Sequence, residues 1–302
     1  MAQVASALAW GASGRPFKSG RPDHFNKWIS LDHSQLSDLG RLHNKRHADK
    51  ETGNMKPKIL ITNDDGINSD GIKALENILR SVGNIYVAAP SQERSAAAHS
   101  ISFNHPLRIH ALDKNRVAVD GTPTDCVMYG VYGLLNHKKP DLVVSGINKG
   151  ANLGDDITYS GTVSAAMEGT LLGIPSIAIS VVNKGKYNYD LLKCFIRNLS
   201  KNIIKRGLPK NTFLNINIPD SKRIKGVMIV RQGKRIYKDK MIKKIDPRGR
   251  SYYWLGGKEP SYIKEANTDF YAIEHNMIAI TPLHFDLTNH SALRSLKYLE
   301  NL

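Results

Sequence analysis

The sequence predicts an α/β protein: a three-layer, doubly wound, mostly parallel sheet of Rossmann-like type with a C-terminal β-hairpin or arm region. Three observations predict it. Short runs that are apolar throughout recur at 58–62 (KILIT), 85–89 (IYVAA), 141–145 (DLVVS) and 176–182 (SIAISVV), which is how strands buried on both faces of a parallel sheet read. Stretches of helical spacing separate them, so the connections are right-handed crossovers with helices on both faces. Beyond residue 220 the pattern changes to short β-like runs with Gly, Pro and basic residues between them, which suits hairpins better than βαβ units.

Taken in order, residues 1–54 show no sustained apolar period and are rich in Gly, Ser, His, Arg and Lys. They are expected to be an extension outside the fold, either disordered or the product of a translation start upstream of Met55. A targeting peptide is the weaker alternative, because the segment has no apolar core of secretory length. Residues 55–302 are expected to form one domain. Its first strand, 58–62, ends in Asn63-Asp64-Asp65-Gly66. A helix follows over 71–82, with Ile72, Leu75, Ile78, Leu79 and Val82 on one face. Strand 85–89 ends at Pro90, and weaker β-like runs lie at 107–109 and 116–119. Thr122 as cap with Pro123 in the first turn starts a helix to about 135. Strand 141–145 leads into a long Gly/Asn/Asp loop, 146–160, and a helix over 162–172. Strand 176–182 and a helix over 187–206 follow, and 213–218 extends the sheet. The runs 227–230, 235–237, 251–255 and 277–281 make up the hairpin region.

Composition excludes several classes. At 41% apolar residues the chain is an ordinary folded protein. Two cysteines, Cys126 and Cys194, exclude a disulfide scaffold and a four-cysteine zinc site. No apolar run approaches the roughly 18 residues a membrane helix needs, so a cytoplasmic protein is expected. The net charge of +16 is unevenly spread: residues 201–250 carry 16 basic and three acidic residues, whereas 55–200 carry 15 and 13. A basic block of this kind is a solvated face, a rim that attracts anions, or a nucleic-acid surface.

In an open parallel sheet, ligands bind beyond the carboxyl ends of the strands. Those positions hold Asn63, Asp64 and Asp65; Ser91 and Ser95; and Asn148, Asn152, Asp155 and Asp156, followed by Ser160-Gly161-Thr162 at a helix start. Three loops distant in sequence thus bring carboxylates, hydroxyls and amides to one crevice, without His or Cys. An all-oxygen set suits a hard cation such as Mg²⁺, Mn²⁺ or Ca²⁺ rather than zinc, and such a cation would also relieve repulsion between the adjacent carboxylates. Ser160-Gly161-Thr162 offers unpaired backbone N–H groups to an anion, with Gly161 permitting close approach. The blander alternatives are an Asx turn for the Asp pair and plain capping by Ser160 or Thr162. No dinucleotide, P-loop or nucleophile-elbow motif is present, and the scattered histidines suggest no metal site.

Six ordered motifs nevertheless coincide: Asn63-Asp64-Asp65-Gly66-Ile67; Ala89-Pro90 with Ser95; Asp120-Gly121-Thr122-Pro123-Thr124-Asp125-Cys126; Ser145-Gly146-Ile147-Asn148-x-Gly150-x-Asn152; Tyr159-Ser160-Gly161-Thr162-Val163 with Ala165-Ala166-x-Glu168-Gly169; and Asp246-Pro247-Arg248-Gly249-Arg250 with Tyr252-Tyr253-Trp254. From residue 55 to 287 the chain resembles the survival protein E (SurE) family. The resemblance implies a metal-dependent phosphomonoesterase acting on nucleoside 5′- and 3′-monophosphates and, in some members, on short polyphosphate. Carried over by position, it implies Asp64, Asp65, Ser95 and Asn148 as ligands of one divalent cation per subunit, Mg²⁺ or Mn²⁺. It implies Asn152, Ser160, Gly161 and Thr162 at the phosphate, with Asp64 or Asp65 orienting the attacking water. It also implies a homodimer or homotetramer joined by an arm, which residues 225–262 suit. Two positions depart from the family pattern: Ser69-Asp70 precedes Gly71-Ile72, and Ala96 follows Ser95 where glycine is usual, a change that matters only if that position needs φ > 0. The competing reading is a nucleotide- or RNA-binding module built on the 201–250 block, although that block carries few aromatics. No membrane partner and no specific nucleic acid are expected.

Overall fold

A computed structural model of the protein describes residues 56–183, 189–221, 223–237, 239–257 and 260–302; the extension 1–54 lies outside the described residues. In chain order the first half contains β1 (Lys58–Thr62), α1 (Asp70–Leu79), β2 (Asn84–Pro90), β3 (Ile109–Asp113), β4 (Arg116–Val119), α2 (Pro123–Tyr129) and β5 (Leu142–Lys149). Then come α3 (Gly161–Leu171), β6 (Ser176–Val182), α4 (Lys193–Arg206), β7 (Thr212–Pro219), β8 (Gly226–Ile229) and β9 (Arg235–Ile236). The last described elements are β10 (Asp239–Ile245), β11 (Ser251–Gly257), β12 (Ser261–Tyr262), α5 (Asp269–Glu274), β13 (Met277–His284) and α6 (Ala292–Ser295).

The main sheet has the order β3-β4-β2-β1-β5-β6-β7-β13-β8. Strands β4, β2, β1, β5, β6 and β7 run parallel, while β3 and β13 are antiparallel to their neighbours β4 and β7. Successive residues of a strand face opposite sides, and the core divides accordingly. Ile59, Ile61, Val144 and Ile179 pack with Ile72, Leu75 and Leu79 of α1 and Ile196 and Ile203 of α4. On the other face, Leu60 and Val143 meet Cys126 and Val127 of α2 and Ala165 of α3, and Ala178 meets Val163 and Ala166. This is the three-layer arrangement that the uniformly apolar strands predicted.

Helix starts follow their sequence signals. Ser69 caps α1, accepting from the Ile72 N–H at 3.3 Å. Thr122 and Asp125 form a reciprocal capping box on α2, with Pro123 in the first turn. Helix α2 is shorter than expected, because at Gly130–Leu134 the chain loosens into a π turn. Likewise α4 begins only at Lys193, after a 3₁₀ turn over Tyr189–Leu192; the expected helix start at 187 falls outside the described residues.

The C-terminal region needs a larger correction. It is not wholly an arm: β13 pairs with β7, and β8 pairs with β13, so two of the four runs assigned to hairpins extend the main sheet. Ile278, Ala279 and Ile280 are buried there, covering an edge that β7 would otherwise expose. Outside the main sheet, β9 pairs with β12, and β10 and β11 form a ribbon closed by Asp246, whose carboxylate accepts from the Arg248 and Arg250 N–H groups, both at 2.8 Å. Met241, Ile245, Trp254 and Leu255 of this ribbon are exposed.

Candidate active site

The loops after β1, β2 and β5 meet in a cleft of about 560 Å³. Asp64, Asp65, Ser95, Asn148, Asn152 and Ser160 all line it, so six of the eight sequence-predicted residues come together. Gly161 and Thr162 do not line it; Thr162 is fully buried behind Asp64. Ser69, Glu93, Lys149, Asp156 and Tyr159 complete the polar and aromatic wall.

The β1 loop is held from within. Asn63, fully buried, donates to the Gly66 carbonyl at 3.0 Å and to Ser69 Oγ at 2.8 Å, tying the Asp-Asp turn to the start of α1. Gly66 has φ +94, a conformation that favours glycine. Asp64 is almost wholly buried; its carboxylate accepts the Thr162 hydroxyl, and the Thr162 backbone N–H faces it as well. Burial pushes the Asp64 pKa up, against the lowering effect of those donors. Asp65 is raised to about 6, first by desolvation and then by the charges of Asp64 and Glu93, with Lys149 opposing.

Helix α3 therefore meets an anion of the protein itself. The Ser160 hydroxyl caps it, accepting from Val163 N–H at 3.2 Å, and Thr162 holds Asp64. The role expected of Gly161 changes accordingly. A Cβ there would stand 2.8 Å from Asp64 Cβ and 3.1 Å from Asp64 Oδ2, so glycine makes room for a carboxylate.

The β2 loop brings Ser95, whose hydroxyl donates to Glu93 at 2.6 Å. The loop is anchored by Arg94 N–H to the Asp64 carbonyl at 2.8 Å, by Ala98 N–H to the Tyr159 carbonyl at 3.2 Å, and by His99 paired with Glu168 of α3 at 3.0 Å. The departure at Ala96 has structural weight, since its φ is +56. A left-handed alanine costs about 1 kcal/mol, part of which glycine would return as lost chain entropy. Ala96→Gly is expected to raise stability by up to about 1 kcal/mol in chemical denaturation; a clear loss would mean that the alanine methyl makes a compensating contact.

The β5 loop leaves the sheet through a register shift between Gly146 and Asn148. Asn148 donates its amide to the Gly150 carbonyl at 3.0 Å, which keeps its side-chain oxygen outside that bond. Asn152 is the knot of the loop. Its N–H donates to Asn217 Oδ1 at 2.8 Å and its side chain to Ser180 Oγ at 2.7 Å, while its carbonyl accepts from Asn215 and Asn217 at 2.8 and 2.9 Å. Sequence reading missed Ser180, Asn215 and Asn217. The signal was present as alternating asparagines inside the apolar β7 run Leu214-Asn215-Ile216-Asn217-Ile218, an expensive choice in a buried strand unless something is held there. It also missed Lys149 and Glu93, the cation and third carboxylate of the cleft.

Asp155 and Asp156 are engaged by the chain at β9, Asp156 while still lining the cleft. Asp155 accepts from the Arg235 N–H at 3.0 Å, and Asp156 pairs with the Arg235 guanidinium and accepts the Tyr237 hydroxyl at 2.8 Å. Behind them Asp269, fully buried, accepts from Gly154 N–H at 2.7 Å and Gly233 N–H at 2.9 Å. Burial raises its pKa while these backbone donors hold it down.

The family model for survival protein SurE matches residues 59–239, more than half of the chain. The chain belongs to the SurE family. The 5′-nucleotidase SurE of Geobacter sulfurreducens is 51% identical over 242 residues, 79% of this chain and 92% of that protein. The 5′-nucleotidase SurE of Aquifex aeolicus is 45% identical over 248 residues, 81% and 99% of the two chains. The crystal structure of the SurE protein from Aquifex aeolicus superposes with a TM-score of 0.73 at 46% identity, covering 81% of this chain and all of that one.

The SurE cleft suits a hard divalent cation by its own chemistry. Asp65 Oδ2 is buried without a hydrogen-bond partner, and an unpaired buried carboxylate oxygen is costly. Two adjacent carboxylates share this site; burial raises the pKa of each, and at Asp65 the charge of Asp64 adds to the rise. Among the described residues no group of three or more His, Cys, Asp or Glu could hold a metal, which leaves a mixed set of carboxylate, hydroxyl and amide oxygens.

Proposed function

We propose that this SurE-family protein is a 5′-nucleotidase that hydrolyses nucleoside 5′-monophosphates, and 3′-monophosphates as well, to nucleoside and inorganic phosphate. The reading is carried by one observation: the paired carboxylates Asp64 and Asp65 share a cleft with Ser95 and Asn148, in a chain half identical to named 5′-nucleotidases. Asp64, Asp65, Ser95 and Asn148 would hold a divalent cation, Mg²⁺ or Mn²⁺, one per subunit. When bound, it supplies charge neutralisation of phosphate oxygens and acidification of water.

The chain's own residues do the rest. Thr162 fixes Asp64, so that carboxylate holds its place without rearrangement. Asp64 or Asp65 would accept the proton of the attacking water. Asn148, Asn152 and Ser160 line the space for the phosphate, and Lys149 supplies the positive charge that a dianionic ester needs. Water attacks phosphorus, the P–O ester bond breaks, and the nucleoside leaves with a proton. Short polyphosphate offers the same terminal group and is a second candidate substrate. Phosphate release from AMP and GMP should require Mg²⁺ or Mn²⁺ and stop with EDTA. Metal-independent release, or none with either metal, would overturn the assignment.

Residues 56–302, one compact unit, carry this activity in our reading. No helix among the described residues is long and apolar enough to cross a membrane. Both cysteines are free, as suits the reducing cytoplasm where we place the enzyme. We assign the exposed apolar ribbon of β10 and β11 to contact with a second copy of the chain, giving a homodimer or homotetramer. The basic block supplies the ribbon's lysines, α4's solvent face and Arg235, so its charge is dispersed, with part of it spent on Asp155 and Asp156.

A further inference from the structure

The segment Ser95–His99 of the β2 loop carries a proposed metal ligand on a backbone that its own residues do not favour. Ala96 and Ala98 have φ +56 and +50, the left-handed region in which a Cβ crowds the backbone. Two such alanines so close together keep their shape only where surrounding contacts impose it. Ser95 and Ala96 both line the cleft, so relaxation of this segment would carry the Ser95 hydroxyl with it.

Two contacts fasten the segment to α3 and its approach. The Ala98 N–H donates to the Tyr159 carbonyl at 3.2 Å, and His99 Nε2 lies 3.0 Å from Glu168 Oε2. A carboxylate accepts, so the imidazole N–H is the donor. Glu168 is the only ionisable side chain of α3, and it is 6% exposed. A carboxylate buried on a helix of otherwise small and apolar or hydroxylic residues is costly without a partner, and His99 supplies one. The first turn of the same helix holds Asp64 through the Thr162 hydroxyl. Helix α3 is thus a common reference for two proposed ligands from different loops: Asp64 at its first turn, and Ser95, by way of His99, nearly two turns further on.

We propose that His99 is a positioning residue for the cation: its bond to Glu168 latches the Ser95 segment to α3 and so fixes where Ser95 stands relative to Asp64. The inference rests on the metal reading of the cleft and deepens it. His99 does not line the cleft and acts only through the loop it holds. Residues that orient a metal's ligands without touching the ion commonly govern its affinity by about 10- to 100-fold.

Two measurements on the full chain test it. In calorimetry on metal-stripped protein, His99→Ala and Glu168→Met should each weaken Mn²⁺ binding by at least about tenfold. His99→Gln, whose amide can donate from about the place of Nε2, should recover most of that loss. The double variant should bind no worse than the weaker single one, because both substitutions remove one latch. Excess Mn²⁺ should restore most of the AMP turnover lost in His99→Ala. In EDTA, amide hydrogen exchange over residues 95–99 should be faster in His99→Ala than in the wild type, with β1 and β6 protected as before. The latch is overturned if His99→Ala binds Mn²⁺ as the wild type does, if the two substitutions multiply in the double variant, if His99→Gln recovers nothing, or if exchange over 95–99 is unchanged. Should His99→Ala fail to fold, Glu168→Met, which keeps the volume of the side chain, decides by the same two readings. Absence of Mn²⁺ binding in the wild type would instead overturn the metal reading, and the exchange measured in EDTA would still decide whether His99 holds the loop.

Discussion

Asp64→Asn is expected to reduce phosphate release from AMP by at least about a thousandfold while the protein stays folded. Asparagine keeps the shape of the side chain and can still pair with the Thr162 hydroxyl, but it lacks the charge that a cation needs. The same substitution should not destabilise the metal-free protein. Burial raises the pKa of Asp64, and with Asp64 and Glu93 nearby it raises that of Asp65 to about 6. A carboxyl that binds its proton more tightly in the folded state stabilises the fold below its unfolded pKa and loses that contribution as pH rises through its folded value. In EDTA, the wild type should therefore lose stability between about pH 4 and pH 6 on account of this pair, and Asp64→Asn should flatten the loss. Adding Mn²⁺ at pH 7.5 should raise the Tm of the wild type and leave that of the variant unmoved. Normal turnover by purified Asp64→Asn would sink the metal assignment.

Gly161→Ala should cost activity nearly as heavily, about a hundredfold, for a steric reason. Its Cβ would press on Asp64 Cβ at 2.8 Å and on Pro123 Cγ, in the first turn of α2, at 3.1 Å. Asp64 would have to leave the Thr162 hydroxyl or α3 would have to move, and overpacking of this kind costs about 1–3 kcal/mol. Denaturation and kinetics should therefore fall together. A control separates the geometry from the loss of glycine as such: Thr162→Ser, which keeps the hydroxyl, should stay near wild-type activity, whereas Thr162→Val should resemble Gly161→Ala. If Gly161→Ala were fully active, the fit of Asp64 against α3 would have no bearing on turnover.

These two residues mark the limit of what sequence could reveal. The crevice was legible because buried strands announce themselves and ligands gather at their carboxyl ends; Asp64, Asp65, Ser95 and Asn148 stood among the strand-end residues read that way, and the family resemblance singled them out. The partner of each residue was less legible. Ser160-Gly161-Thr162 reads as an anion site, and it is one, but the anion facing it is Asp64, a side chain 97 positions earlier than Gly161. Asn152 reads as a phosphate ligand, yet its amide nitrogen is committed to Ser180. Long-range pairings of this sort leave no periodic trace. The C-terminal strands were misassigned for a related reason: β8 has four residues and β13 carries Pro282, and only the placement of β13 beside β7, and of β8 beside β13, makes them part of the sheet.

The clasp made by Asp269 on Gly154 and Gly233 has a consequence for how the enzyme comes into being. Every loop that bears a proposed metal or phosphate ligand lies before residue 163, so a ribosome has delivered all of them when little more than half of the chain is made. The carboxylate that pins the Gly154 turn arrives 115 residues after it, and Asn215 and Asn217, which pin Asn152, arrive 63 and 65 residues after that residue. A nascent or C-terminally cut chain therefore holds the β5 loop without these tethers. Full turnover is expected only late in synthesis, once the tail has pinned that loop in place.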